Sequence, residues 1–148
     1  MPVIIINGNL FDTEANYICH QVNCLGKMGS GIAKQIRERY PKVFKSYLEY
    51  ANPSMLGTPQ FVECDNNKFI VNMFAQEKYG YDGKQYTSYD AFEKCLYQMA
   101  QLIPNGENIA MPYKIGCGLG GGDWEVISYL IKKILGENHV VELWRLKK

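Results

Sequence analysis

Tyr17-Ile18-Cys19-His20-Gln21-Val22, then Asn23-Cys24-Leu25-Gly26-Lys27-Met28-Gly29-Ser30-Gly31, then Ile32-Ala33-Lys34-Gln35-Ile36 is the stretch whose reading decides the fold. Its first part reads as a short strand and its middle as a glycine-rich loop. From Ile32 onward Ile32, Ala33, Ile36 and Tyr40 share one face, while Lys34, Gln35, Arg37 and Glu38 share the other, which is a helical period. A strand that runs through glycines into a helix start is suited to anions. Residues without Cβ take positive φ and let a ligand approach the backbone. The first helical turn adds unpaired N–H groups and a partial positive charge.

The same order recurs near the C-terminus. Asn108 to Met111 reads as a strand and Tyr113 to Gly122 as a second glycine-rich loop. Asp123 then caps a helix that buries Ile127, Leu130, Ile131 and Ile134. Eight of the 14 glycines fall in these two windows: Gly26, Gly29 and Gly31, then Gly116, Gly118, Gly120, Gly121 and Gly122. Two such loops on neighbouring strands clamp a diphosphate from both sides, at the usual ligand position of an open α/β sheet. Neither loop matches the mononucleotide P-loop, G-x-x-x-x-G-K-[ST]. Gly26-x-x-Gly29-x-Gly31 also fails the dinucleotide spacing, and no acidic residue ends a matching second strand.

Outward from the loops, Val3 to Ile6 is a β-branched strand closed by Asn7-Gly8. Pro41 ends the first helix, and Val43 to Tyr50 is a second helical piece stopped near Asn52-Pro53. Gln60 to Cys64 and Phe69 to Phe74 are strands around the turn Asp65-Asn66-Asn67. Residues 75–87 read as a polar loop. Its tyrosines Tyr79, Tyr81 and Tyr86, with Tyr89 beyond it, either line a ligand rim or are surface aromatics. A helix capped by Thr87 or Ser88 follows, with Ala91, Phe92, Cys95, Leu96, Met99, Leu102 and Ile103 on one side. Val140 to Trp144 closes the chain as a strand. Strands and helices alternate, which predicts an α/β sheet covered on both faces. Without repeat, linker or low-complexity segment, residues 1–148 are expected to form a single domain.

Composition narrows the function. The chain is 47% hydrophobic and 21% charged, ordinary for a folded protein. Its 16 basic and 15 acidic residues leave a net charge of +1, so there is no global footprint for nucleic acid. Arg145 to Lys148 reads as a solvated terminus. The five cysteines are an odd number without a Cys-x-x-Cys pair, which suggests neither a disulfide framework nor a zinc site. Reduced thiols fit a cytoplasmic protein. The start of the chain lacks the basic region of a signal sequence, and no apolar run reaches membrane length.

Gly8-Asn9-Leu10-Phe11, His20-Gln21-Val22-Asn23-Cys24 running through Met28-Gly29-Ser30-Gly31-Ile32-Ala33, Met111-Pro112, and Ile115-Gly116-Cys117-Gly118-Leu119 together resemble the macrodomains. The resemblance runs over essentially the whole chain in order and spacing. It is greatest to the branch holding terminal ADP-ribose protein glycohydrolase, a DNA-directed ADP-ribosyl-glycohydrolase antitoxin and ADP-ribose 1''-phosphate phosphatases. It implies a three-layer α/β/α sandwich with a mixed, mostly parallel sheet that binds ADP-ribose, free or attached to a small molecule or macromolecule. Gly8, Asn9 and Leu10 are then expected at the adenine end, with Asn9 where the family usually carries Asp. Met28, Gly29, Ser30, Gly31 and Ile32 would hold one phosphate and the distal ribose side. Pro112, Ile115, Gly116, Cys117, Gly118, Leu119, Gly120 and Gly121 would hold the other phosphate and close over that ribose. No cofactor, metal or membrane is expected, and the chain is expected to be monomeric.

Chemistry is read from His20 and Asn23, the two candidate catalytic residues. Asn23 stands where the family orients the distal ribose or a water; it can equally satisfy loop backbone. His20 stands where phosphatase-like members carry a histidine and is either an acid, base or phosphate ligand or a buried strand histidine. The glycohydrolase branch keeps a lysine after its fourth strand and an aspartate after the second loop's leucine. Here Gln76 and Gly120 take those places. Lys78 is a solvated lysine or reaches in, Asp123 is a helix cap or a base, and Cys117 is packing or an activated thiol. Three functions remain: hydrolysis of an ADP-ribose derivative such as ADP-ribose 1''-phosphate at the distal ribose, a non-catalytic reader of ADP-ribose, and a DNA ADP-ribosyl glycohydrolase.

Overall fold

The computed structural model describes residues 2–146. In chain order its elements are β1 (Val3–Asn7), β2 (Tyr17–Asn23), α1 (Gly31–Arg39), α2 (Pro41–Tyr50), β3 (Pro59–Asp65), β4 (Lys68–Gln76), α3 (Tyr89–Leu102), β5 (Ile109–Pro112), α4 (Trp124–Ile134) and β6 (Val141–Arg145). The six strands form one sheet in the order β1-β6-β5-β2-β4-β3. All neighbours are parallel except β3 and β4, which make an antiparallel hairpin at one edge. The expected mixed, mostly parallel sheet is therefore present.

Side chains alternate across the sheet as strand geometry requires. Cys19, Val71, Met73, Ile109 and Met111 pack under α3 and α4 with Phe92, Leu96, Ile127 and Ile131. Ile18, Ile70 and Ala110 face the other way, towards Ile36 of α1 and Val43 of α2. Val22 and Phe74 continue that face onto Tyr47. Helices thus cover both faces, giving three layers.

Two features depart from strict alternation. β1 leads to β2 through a short 3-10 turn, Leu10–Asp12, and β3 leads directly into β4 around Asn66 and Asn67. Asn67 takes φ +57°, a left-handed conformation that asparagine tolerates. β4 also runs two residues further than the sequence suggests. A register shift between Val22 and Asn23 pairs Asn23 with Gln76 and leaves Ala75 as the extra residue. Of the basic terminus, Arg145 ends β6 and its Nε donates to Asn7 Oδ1 at 3.1 Å; Lys147 and Lys148 lie outside the described residues.

Pro41 opens α2 at a first-turn position, where no N–H is missed. Ser88, of the two candidates, caps α3: its Oγ accepts from Ala91 N–H at 3.1 Å. Asp123 caps α4 by accepting from Glu125 N–H at 2.9 Å. No helix among the described residues is long and apolar enough to cross a membrane.

Candidate functional site

β2 pairs with β4 along its whole length but with β5 through Tyr17↔Ile109 and Ile18↔Ala110 alone. Beyond that point the two parallel strands part. The chain leaves β2 for α1 on one face and leaves β5 for α4 on the other, so the gap lies where the crossovers reverse. A cavity of about 550 Å³ occupies it.

Of the residues expected at a ligand site, His20, Asn23, Gly29, Ser30, Gly31 and Ile32 line this cavity from the β2 side. Pro112, Ile115, Gly116, Gly118, Leu119 and Gly120 line it from the β5 side. Gly8, Asn9, Leu10, Met28, Cys117 and Gly121 are not in its wall. Asn9 Oδ1 accepts from Phe11 N–H at 2.9 Å, fixing the 3-10 turn, and Leu10 is buried in the core below it. Met28 is buried against Tyr47 and Phe74 and anchors the first loop.

Asn23 organises that loop. Its Oδ1 accepts from Leu25 N–H at 3.0 Å, Lys27 N–H at 3.3 Å and the Tyr47 hydroxyl at 3.0 Å, and its Nδ2 donates to Lys27 O at 2.8 Å. The loop delivers Ser30 as the residue before α1, and Ser30 makes no side-chain cap bond. Its hydroxyl instead meets the Tyr81 hydroxyl at 3.1 Å. The first-turn N–H groups of Gly31, Ile32 and Ala33 are consequently open, and all three residues line the cavity.

The second loop is built differently. At its helix start the Asp123 carboxylate takes the Glu125 N–H and brings a negative charge, and no residue from Asp123 to Val126 lines the cavity, so the start of α4 is no anion site here. The open donors lie within the loop. Ile115, Cys117, Gly121 and Gly122 give their N–H groups to carbonyls of the loop itself or of Pro112. Gly116, Gly118, Leu119 and Gly120 donate to no other described residue, and each lines the cavity. The symmetric pair of helix-start anion sites expected from sequence is corrected to one helix start facing one loop of backbone donors.

Beneath the second loop a polar chain ties it to the sheet. Gln21 Nε2 donates to Gln76 Oε1 at 2.7 Å and to Thr87 Oγ1 at 2.8 Å, and the Thr87 hydroxyl donates to Gly116 O at 2.7 Å. Gln76 Nε2 donates to Lys78 O at 2.8 Å. Gln76 lies in the cavity wall with both ends of its amide engaged. Lys78 is exposed and outside the wall.

His20 is 2% exposed. Its Nε2 lies 2.6 Å from Asn72 Oδ1, while Asn72 Nδ2 donates to Gln60 Oε1 at 3.0 Å. That orientation of Asn72 places the imidazole proton on Nε2 and leaves Nδ1 a buried acceptor without a partner. Burial holds the imidazole down to about 4, against a smaller upward pull from Asn72, so the ring is neutral at pH 7. Cys117 shows the reverse of an activated thiol: burial and the nearby Asp123 push it up, and its Sγ donates to Ile115 O at 3.4 Å.

The wall carries Lys27 and Lys114 and no carboxylate, an electrostatic setting for an anion. Both lysines sit inside the glycine windows, and that alone was the signal for them. Gln21, Ala33, Gly80 and Tyr113 also line the cavity; Gln21 and Ala33 fall inside the motif that runs from His20 to Ala33, but it does not single out a mid-strand glutamine or a helical alanine as a ligand contact. Among the described residues no group of three His, Cys, Asp or Glu side chains is placed to hold a metal ion.

The arrangement has known counterparts. The family model "Macro domain" matches residues 19–130. A DNA ADP-ribosyl glycohydrolase of Mycobacterium tuberculosis is 31% identical over 127 residues; the match covers 82% of this chain and 35% of that protein. An ADP-ribose 1''-phosphate phosphatase of Meyerozyma guilliermondii is 25% identical over 162 residues, covering 86% of this chain and 91% of the relative. Among solved structures, the macrodomain of Mycobacterium tuberculosis DarG superposes with a TM-score of 0.80 at 21% identity, covering 99% of this chain and 100% of that one. With the family model spanning both glycine loops and the sheet between them, the chain belongs to the macro domain family.

Proposed function

We propose that the chain binds ADP-ribose, with the diphosphate held between the start of α1 and the 113–122 loop. The observation that carries this is the pair of open donor sets in one carboxylate-free cavity: Gly31, Ile32 and Ala33 on one side, Gly116, Gly118, Leu119 and Gly120 on the other. Backbone N–H groups recognise phosphate oxygens without a metal, and Lys27 and Lys114 add charge. In this reading Asn23 is a positioning residue that shapes the first loop, and Gly8, Asn9 and Leu10 support the adenine end from outside the wall. Five unpaired cysteines suit a reducing compartment such as the cytoplasm. Calorimetry with ADP-ribose tests the proposal: micromolar binding is expected, and no heat at any protein concentration overturns it.

Turnover at the distal ribose is the second reading, favoured by His20 and Asn23 both lining the cavity. A neutral His20 whose N–H is committed to Asn72 is a weak general acid, and the amide of Gln76 cannot attack an anomeric carbon. Binding is therefore the function the geometry supports best. Phosphate release from ADP-ribose 1''-phosphate, lost in His20→Ala while ADP-ribose still binds, would establish the second reading. Absence of release, together with no cleavage of ADP-ribosylated DNA or protein, would leave a reader.

A further inference from the structure

The two edges of the sheet are protected unequally. β3 begins at Pro59, which has no N–H, and carries Glu63 and Asp65, features that keep an edge from pairing with another chain. β1 is Val3-Ile4-Ile5-Ile6-Asn7, with neither charge nor proline. Ile4 is 39% exposed and Ile5 50%, and no described residue pairs with the outer side of the strand. Beside it runs a groove of about 420 Å³ walled by Ile5 and by Trp124, Glu125, Tyr129 and Lys132 of α4.

The outer stripe of α4 has a matching pattern. Glu125, Ser128, Tyr129 and Lys132 follow helical spacing and share one face, with Tyr129 62% exposed. Neither Glu125 nor Lys132 has an ion-pair partner among the described residues. A two-fold axis passing between Ser128 and Tyr129 sets Glu125 of each copy against Lys132 of the other. It also lays two β1 strands antiparallel. With Ile5 opposite Ile5, Ile4 faces Ile6 and no charges oppose. The stripe is thus complementary to itself, the requirement for an isologous contact.

We infer that the chain forms a two-fold homodimer through the outer edge of β1 and the Glu125–Lys132 stripe of α4, in place of the monomer expected from sequence. Tyr113 borders both the ligand cavity and this groove, so the contact lies one side chain from the ligand. The inference does not depend on what the cavity binds.

Sedimentation velocity on the full chain over a concentration series tests it. A concentration-dependent dimer is expected, with Ile5→Lys monomeric and its fold verified by circular dichroism. Glu125→Lys sets Lys against Lys132 and weakens association about tenfold; adding Lys132→Glu restores it to within about twofold. A wild-type chain that stays monomeric throughout overturns the inference, as does a dimer indifferent to Ile5→Lys or a charge reversal that the double variant fails to rescue. Should Ile5→Lys unfold, the two charge variants carry the test, because both positions are at the surface.

Discussion

The two glycine loops look alike in sequence and are held in place by different means. The first hangs on side chains: Asn23 binds two of its amides and one of its carbonyls, Tyr47 braces Asn23, and Met28 plugs the loop into the core. A Cβ added at Gly29 or Gly31 meets nothing within 4 Å. The second is pressed against its surroundings. A Cβ at Gly120 would sit 2.5 Å from Thr87 Oγ1, and one at Gly121 2.6 Å from Lys84 O. Glycine therefore does two jobs. In the first loop it leaves room beside the helix start, and in the second it lets backbone lie on backbone.

The largest expected effect breaks the second loop. Gly120→Ala drives a methyl group into Thr87 and the Gly116 carbonyl and costs about 3 kcal/mol, measured by urea denaturation, with ADP-ribose affinity lost alongside. A result near zero would mean that this loop is as open as the first. Acid loosens the β2 side. The imidazole of His20 is held near 4 when folded and titrates near 6.5 when unfolded. The unfolded chain therefore takes up the extra proton as pH falls through that window. Stability is complete above about pH 6.5 and drops by ~3 kcal/mol on going down to about pH 4. His20→Gln removes that component, which denaturation at several pH values measures. Asn23→Ala costs about 2 kcal/mol, because buried partners lose their bonds, and weakens ADP-ribose about tenfold in calorimetry. Gly29→Ala is the smallest change to the fold, within about 0.5 kcal/mol. Its methyl group stands at the cavity and still weakens ADP-ribose several-fold; unchanged affinity would remove Gly29 from the site.

Much of this was readable in the residues. The passage from Val22 through Gly31 to Ile36 has one sensible reading, a strand handing over to a helix through a loop, and Tyr113 to Ile127 repeats it. Asp123 before Trp124 and Ser88 before Tyr89 announced their helices, since a short polar side chain just ahead of an apolar period is a cap. The asymmetry between the loops was less legible. That Asp123 caps one helix start while Ser30 leaves the other bare depends on side-chain torsions that residue type leaves open. The Gln21–Gln76–Thr87 chain joins residues 55 and 66 positions apart and exists because of the register shift after Val22. Asn9 was legible as a turn former as well as by likeness: one lone pair of its oxygen takes the Phe11 N–H and holds the 3-10 turn, and the other is left for a ligand.

The register of β1 has a consequence for the order in which the sheet is completed. Val3 pairs with Val141 and Ile6 with Trp144, so the first of the six strands docks on the sixth. Until β6 emerges, Val3 to Ile6 has no place to go, and its apolar, uncharged edge waits in the open while the rest of the chain is made. Closing the sheet joins β1 to β6, the strand contact of greatest sequence separation and therefore among the slowest to form. A chain cut short between α4 and β6 would keep every residue that lines the cavity and lose the partner of its first strand, leaving a sticky segment of the kind that chaperones hold.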